Sequence, residues 1–374
     1  MRIAYISVDP GIPVFGTKGA SVHIQEVVRE LRRRGHEVTV YTTRRGFDVP
    51  ADLADLEVIE VPVPAGDTAA REQAQATAAG EIARQVIATQ PDIVYERYSL
   101  FSPALADITT VTSAVGILEV NAPLIEEQRT HRDLINEEVT WLTLRLQARA
   151  AAATICVSEP VAQWVRTHTP TSQTVHAVAN GVNVERITPQ PEADDVIVTF
   201  VGTLKPWHGV ADLLQAATHS QGGWQLRIIG DGPERAKLEA QAAEAGLQVD
   251  FRGAVSPADM PAQLAGSAIG VAPYPAPETD DGHYFSPLKV YEYLAAGLPV
   301  VATSIGQIPQ VLADCGVVVP PSDPAALAAA LDALAADPQR RATLGQAARA
   351  QAEERHSWTG VVSQILELAG VTDA

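Results

Sequence analysis

Cysteine is nearly missing from this sequence: Cys156 and Cys315 are the only two among 374 residues. At most one disulfide is available, which excludes a disulfide-held secreted scaffold, and both residues read as buried thiols of a reducing compartment. No apolar run reaches the ~18 residues that a spanning helix requires, and no basic-apolar leader follows Met1. A cytoplasmic location is therefore the expectation. Positive charge is also short. There are 27 Lys and Arg against 45 Asp and Glu, a net charge of −18, so a general nucleic-acid binder lacks its basic footprint. The deficit is uneven: 17 basic against 23 acidic residues over 1–187, and 10 against 22 over 188–374. Only four basic residues are lysines, which fits a GC-rich genome ahead of a salt-adapted host. Neither G-x-G-x-x-G nor G-x-x-x-x-G-K-[ST] occurs, so a nicotinamide enzyme and a P-loop NTPase both lose ground. No D-x-D spacing is found. The adjacent acids Asp194-Asp195 and Asp280-Asp281 sit in loop sequence and read as solvated, so neither a metal site nor a bound cofactor is expected.

What is present is a globular composition, 46% hydrophobic and 19% charged, in a chain long enough for two domains of about 150–200 residues. Residues 2–8, RIAYISV, read as a buried strand, followed by a glycine-rich loop from Gly11 to Gly19. In the next segment Ile24, Val27, Val28 and Leu31 recur at i, i+3, i+4, i+7, one apolar helix face, and Gly35 stops the helix before the strand HEVTVYT. That is a βαβ unit. The same plan returns in VIVTFVG (196–202), the loop TLKPWHG, the helix VADLLQAA and the strand WQLRIIG. Another helix and the strand VDFRG follow. We expect two tandem, doubly wound α/β domains, each offering its ligand site at the carboxyl ends of its strands. Residues 174–195, with Asn180-Gly181, Pro189 and Pro191 among charges, read as the linker. An Ala-rich helical stretch from Pro324 to about Gly370 closes the chain, interrupted at Pro338 and at RHSW (355–358).

Three loops carry candidate chemistry. GTKGASVH (16–23) opens the first helix, where glycines allow close approach and free N–H groups attract an anion; a plain turn is an equal reading. GTLKPWHG (202–209) sets Lys205 and His208 around Trp207, either two solvated cations or a pair facing an anionic ligand. Residues 272–303 lead through a loop rich in Pro and acids to SPLKVYEYLAAG, a helix whose start holds Ser286, Pro287 and Leu288. Glu292 lies two turns from Phe285, between Tyr291 and Tyr293; its carboxylate reads either as a structural cap partner or as an acceptor for sugar hydroxyls. Arg29, Arg32, Arg33 and Arg34 interleave with Glu26 and Glu30, a solvated face or a contact to anionic lipid.

At this point the sequence resembles the family 4 retaining glycosyltransferases (glycosyl transferases group 1), which have the GT-B fold. The resemblance runs through GTKGASVH, ANGVN, VGTLKPWHGV, IIGDGPE, FSPLKVYEYLAAGLPVVAT and ADPQRRATLGQAARAQAEERHSW, in the family's order and over nearly the whole chain. It implies two Rossmann-like domains facing a cleft: an acceptor domain over 1–182, a donor domain over 183–355, and a last helix, 356–374, that packs back on the first domain. It implies transfer of a sugar from a nucleotide-diphosphate sugar to a hydroxylated acceptor with retention, no metal, and the leaving phosphate helping to deprotonate the acceptor. Glu292 matches the second glutamate of the family's E-x7-E motif, the acceptor for the ribose hydroxyls. The backbone around Ser286, Leu288 and Lys289 would hold the diphosphate, with Gly202, Lys205 and His208 beside it and Gly19 and Ala20 approaching from the other domain. Arg252 to Val255 would lie at the base.

Three departures accompany the match. Tyr284 stands where the first glutamate of E-x7-E belongs, Thr203 and His208 stand where the family grips the diphosphate with Arg and Lys, and Asn121 stands where a histidine often serves. The candidate catalytic set is therefore Lys205, His208, Asn121 and His23, and the candidate acceptor set is Glu96, Arg97, Asn121 and Glu127. Two alternatives share the fold: a nucleotide-sugar-binding module without catalysis, and a sugar-nucleotide epimerase, for which the needed extra carboxylates are not seen.

Overall fold

The computed structural model describes residues 1–170, 172–276 and 284–372, without the side chains of His131 and Ser172. The chain divides into two compact units, one formed by Met1–Asn180 with the segment from Trp358 onward, the other by Gly181–Ser357.

The first unit is built on seven strands: β1 (Arg2–Ser7), β2 (Glu37–Thr42), β3 (Glu57–Glu60), β4 (Ile93–Arg97), β5 (Val115–Val120), β6 (Ala153–Cys156) and β7 (Val175–Ala177). All pairs are parallel, in the order β3-β2-β1-β4-β5-β6-β7. Strands covered on both faces read as continuous apolar runs, as RIAYIS does. The helix Gly19–Arg33 follows β1 and lays Ile24, Val27, Val28 and Leu31 against the sheet, each 0% exposed. Burying each such side chain contributes about 1.5–3 kcal/mol, enough to fix the helix in place. The final helix, Trp358–Leu368, adds Val361, Val362, Ile365 and Leu366 to the same core.

The second unit has six parallel strands, β8 (Val196–Val201), β9 (Trp224–Ile229), β10 (Val249–Gly253), β11 (Ile269–Ala272), β12 (Val300–Thr303) and β13 (Gly316–Val319), ordered β10-β9-β8-β11-β12-β13. In each unit the chain turns back beside its first strand, between β1 and β4 and between β8 and β11, and the crevice outside those strand ends is where such sheets take ligands. The closing helical stretch breaks where Pro338 and the 355–358 segment predict. Asp323 and Asp337 each cap a helix by accepting a backbone N–H at 2.9 Å, and a proline opens each one.

The segment read as a linker is fastened. Its start supplies β7, which extends the first sheet, and its remainder is tied down within the second unit. Arg349 donates to the carbonyls of Ile187 at 2.8 Å and Val184 at 2.9 Å, and Arg341 pairs with Glu192 at 2.7 Å. Prolines and charges here mark irregular backbone that two arginines of the later helix hold, Arg349 through its carbonyls and Arg341 through the Glu192 carboxylate. Both cysteines are buried free thiols, and burial pushes them up to about 12 at Cys156 and about 11 at Cys315. No described helix is long and apolar enough to cross a membrane.

Candidate active site

In the second unit, the loop after β8 and the helix Leu288–Ala295 converge on the β8/β11 crevice. Tyr293 fixes that helix: its hydroxyl accepts from Val201 N–H at 2.7 Å and donates to the Val271 carbonyl at 3.1 Å, so one side chain pins the helix to both strands. Gly209, at φ +71°, abuts the Pro273 carbonyl so closely that a Cβ there would lie 1.7 Å from its oxygen, which clamps the 202–209 loop over β11's exit. At the loop's other end, Gly202 has φ +146°, and a Cβ there would come within 3.1 Å of Lys289 Nζ. Ser286, buried before the helix, sits 3.0 Å from the Tyr291 hydroxyl, Leu288 begins the helix, and Glu292 is half-buried one turn on.

The charges of this loop differ from the expected cation pair. His208 Nδ1 donates to the Thr203 carbonyl. Burial first, then the charges of Lys289 and Lys205, push the ring down to about 4, so it is neutral at pH 7. Lys205 is half-buried with Nζ 4.5 Å above the Trp207 ring, and Trp207 is 59% exposed. The second cation is the Lys289 side chain. It is 7% exposed, with Nζ 4.4 Å from the centre of the Phe200 ring and 4.6 Å from that of Tyr274. Phe200 belongs to β8 and Tyr274 follows β11, so the ammonium sits at the point where the strand order reverses.

In the first unit, a buried carboxylate gathers residues from three elements. Glu119 on β5 is 1% exposed and accepts from His23 Nε2 at 2.9 Å, Tyr95 Oη at 2.5 Å, Arg97 Nη1 at 3.0 Å and Asn121 Nδ2 at 2.5 Å. Burial opposes its charge, but His23, Arg97 and the Tyr95 hydroxyl outweigh that and hold the carboxyl well below the usual range. Tyr95 stacks on Tyr5 of β1 at 5.1 Å, and His23 meets the edge of Trp358 at 5.0 Å. Around the same sheet edge the hydroxyls of Tyr5, Ser7, Thr43, Tyr98 and Ser99 are buried without hydrogen-bond partners among the described residues.

Three of the residues read from the sequence, His23, Arg97 and Asn121, thus meet on one carboxylate that the sequence reading missed. The available signal was an acid inside the apolar strand ILEV, where a charge is kept only with partners. Glu96 requires correction. It is 0% exposed and turned into the opposite face of the sheet, where it accepts from Ser102 Oγ at 2.5 Å and Leu105 N–H at 2.7 Å, anchoring the start of the helix Ala104–Val111. Burial raises it to about 7. It is a structural cap with no exposed surface for an acceptor. Glu127 is half-buried in the first turn of the helix Leu124–His131, and Gly19 and Ala20 open the helix after β1. Arg252 is exposed at the end of β10, bonded to Asp250 at 2.8 Å and Gln263 at 2.9 Å, with Val255 half-buried beyond it. The four arginines at the end of the first helix and in its cap are engaged within their unit: Arg29 with Asp52, Arg32 with Asp55, and Arg33 and Arg34 with Glu30. That satisfies the helix face without a lipid. Asp280-Asp281 lie outside the described residues, and no group of three or more His, Cys, Asp or Glu among the described residues is placed to hold a metal ion.

With this geometry in place, comparison with known proteins identifies the family. Residues 17–186 match Glycosyltransferase Family 4, and residues 195–337 match Glycosyl transferases group 1. A D-inositol 3-phosphate glycosyltransferase of Xylanimonas cellulosilytica is 27% identical over 98% of this chain and 96% of its own. Among solved structures, a sucrose-phosphate synthase of Thermosynechococcus elongatus superposes with TM-score 0.76 at 20% identity, covering 98% of both chains. The Anabaena protein HepE, solved in complex with UDP-glucose, gives 0.73 at 18% identity over 99% of both. The two matched domains together take in most of the sequence, and the chain belongs to the family 4 (group 1) glycosyltransferases with the GT-B fold.

Proposed function

We propose that this glycosyltransferase moves a sugar from a nucleotide-diphosphate sugar to a hydroxylated acceptor with retention of configuration and without a metal ion. The observation that carries the reading is the second unit's crevice. A helix start, pinned by Tyr293 to both crevice strands, meets a glycine-bounded loop bearing Lys205, and fixed N–H dipoles and cations of this kind stabilise charge on a departing phosphate. The backbone around Ser286, Leu288 and Lys289 takes the diphosphate, Glu292 accepts from the ribose hydroxyls, and Arg252 to Val255 border the base. The sugar's anomeric C–O bond to phosphate breaks while a bond to the acceptor oxygen forms on the same face. The acceptor's proton passes to the leaving phosphate oxygen. The acceptor belongs to the first unit, at the sheet edge where His23, Arg97 and Asn121 gather on Glu119, and a relative named for D-inositol 3-phosphate supports a polyol as its class.

Calorimetric titration with UDP, GDP, ADP and dTDP, in chelator, tests the donor assignment. One diphosphate should bind well above the rest, and Glu292→Ala should weaken it about 10–100-fold, the size of one or two lost charge-assisted hydrogen bonds. Affinity unchanged in Glu292→Ala removes the ribose role. Donor binding with no nucleotide release on any acceptor, inositol phosphates included, returns the chain to the class of silent binding modules.

A further inference from the structure

Among the described residues, Lys289 Nζ is a buried donor with no hydrogen-bond partner. It is an expensive arrangement. An ammonium taken from water costs several kcal/mol, and a lysine in the first turn of a helix also opposes the positive end of the helix dipole. Two aromatic faces offset only about 2 kcal/mol of that. Four lysines serve the whole chain, and this one is spent inside a fold. The position is specific: between a ring of β8 and a ring after β11, beneath Gly202, whose missing side chain is what leaves the ammonium its room.

We infer that the Lys289 ammonium, rather than the His208 imidazole, is the cation that meets the donor's diphosphate. The inference rests on the donor reading above and assigns a residue to it. Positions 203 and 208 of the loop hold a threonine and a neutral imidazole, so beside Lys205 the crevice's further cation stands at the helix start. There Lys289 adds an ammonium to the free N–H groups that already favour an anion. The charged and titratable groups recorded against it are His208 from the loop, itself also near Lys205, the Tyr274 ring after β11, and Glu292 from its own helix. Glu292 is the sole anion of that set, and it acts on Nζ through space. Burial, opposed only by Glu292, pushes the ammonium down to about 7. A diphosphate seated there raises it again, so binding above pH 7 takes up a proton.

The test is calorimetry on the full chain and on Lys289→Met, with inorganic pyrophosphate and with UDP, GDP, ADP and dTDP. Runs at pH 8 in buffers of different ionisation enthalpy read the proton count, and melting curves show that the variant is folded. Wild type should take up close to one proton per diphosphate, and the variant none. Lys289→Met should bind the preferred nucleotide about 10–100-fold more weakly, the value of one or two hydrogen bonds to a charged group. Undiminished binding by a folded variant, or no proton uptake by wild type, overturns the inference and leaves the donor reading standing. Pyrophosphate bound with proton uptake while no nucleotide binds keeps Lys289 as a diphosphate cation and overturns the donor reading. No ligand bound by wild type overturns both. Wild-type proton uptake is measurable even if Lys289→Met fails to fold.

Discussion

Two charges buried at the carboxyl edges of the parallel sheets, Glu119 in the first unit and Lys289 in the second, are treated in opposite ways. Glu119 is surrounded by four donors from β4, from the helix after β1 and from the turn after β5. Lys289 has two aromatic faces and no hydrogen bond among the described residues. A saturated carboxylate has no lone pair to spend on substrate. It holds His23, Arg97 and Asn121 in one arrangement and acts through them. An unsaturated ammonium does nothing for its own neighbours; the fold bears its cost, and only an arriving anion recovers it. The first site is completed by the protein, the second by its ligand.

The largest effect should follow from breaking the completed site. Glu119→Gln leaves the half-buried Arg97 half-paired and breaks the buried network around it, and should cost about 3–5 kcal/mol, read as a fall in the urea midpoint. The pH dependence has a definite sign. Because Glu119 is held below its unfolded value, its contribution is full at neutral pH and is lost as pH falls through about 4 towards the folded value. Wild type should therefore lose stability on acidification more steeply than Glu119→Gln. Equal acid limbs would mean the carboxylate is not the network's centre.

The corresponding change in the second unit should go the other way. Lys289→Met puts a flexible apolar chain between Phe200 and Tyr274 and removes a desolvated charge, for a gain of about 1–2 kcal/mol at pH 6 without ligand. Lys289 is depressed to about 7 in the folded chain, so the unfolded chain binds the extra proton between there and about 10, and wild-type stability rises with pH across that window. The variant lacks that rise, so its advantage at pH 6 shrinks as the pH climbs from about 7 towards 10. Destabilisation by Lys289→Met at pH 6 would show that the ammonium has a partner in the free protein and would dissolve the contrast with Glu119.

The elements of both sheets were legible because period and breakers suffice for them: Ile24, Val27, Val28 and Leu31 describe the first helix, and RIAYIS and VIVTFV the two leading strands. The tertiary partners were not. Glu96 and Arg97 are neighbours in sequence and both looked suited to a crevice, but alternation along a strand sends them to opposite faces. Register then decides what each meets. Arg97 lies opposite Glu119 while Glu96 lies opposite Leu118, and a pairing between strands 22 residues apart leaves no local trace. His23, 96 residues from Glu119, is placed there by the packing of its helix. Lys289 did leave a trace, a cation in the first turn of a helix against the dipole, but the residue was weighed for its backbone N–H alone. The β7 strand was hidden by brevity: three residues next to an Asn-Gly turn look like the start of a linker.

The smallest effect belongs to the residue whose charge the sequence made most of. His208 was read as a titrating cation facing an anion, and on that view its replacement changes how donor binding varies between pH 6 and 8. The structure gives the ring a different task. With Nδ1 bonded to the Thr203 carbonyl and the ring pushed down to about 4, it is a neutral brace that fixes the curvature of the loop carrying Lys205. His208→Gln keeps an N–H donor for the Thr203 carbonyl, so it should weaken the preferred nucleotide by no more than about three-fold, within one ordinary hydrogen bond. Its pH profile should overlay that of wild type between 6 and 8, because the variation there comes from Lys289. A flattened profile in His208→Gln, with Lys289 intact, would return the diphosphate's charge to the loop and make both units alike: sites whose charges are partnered before any ligand arrives.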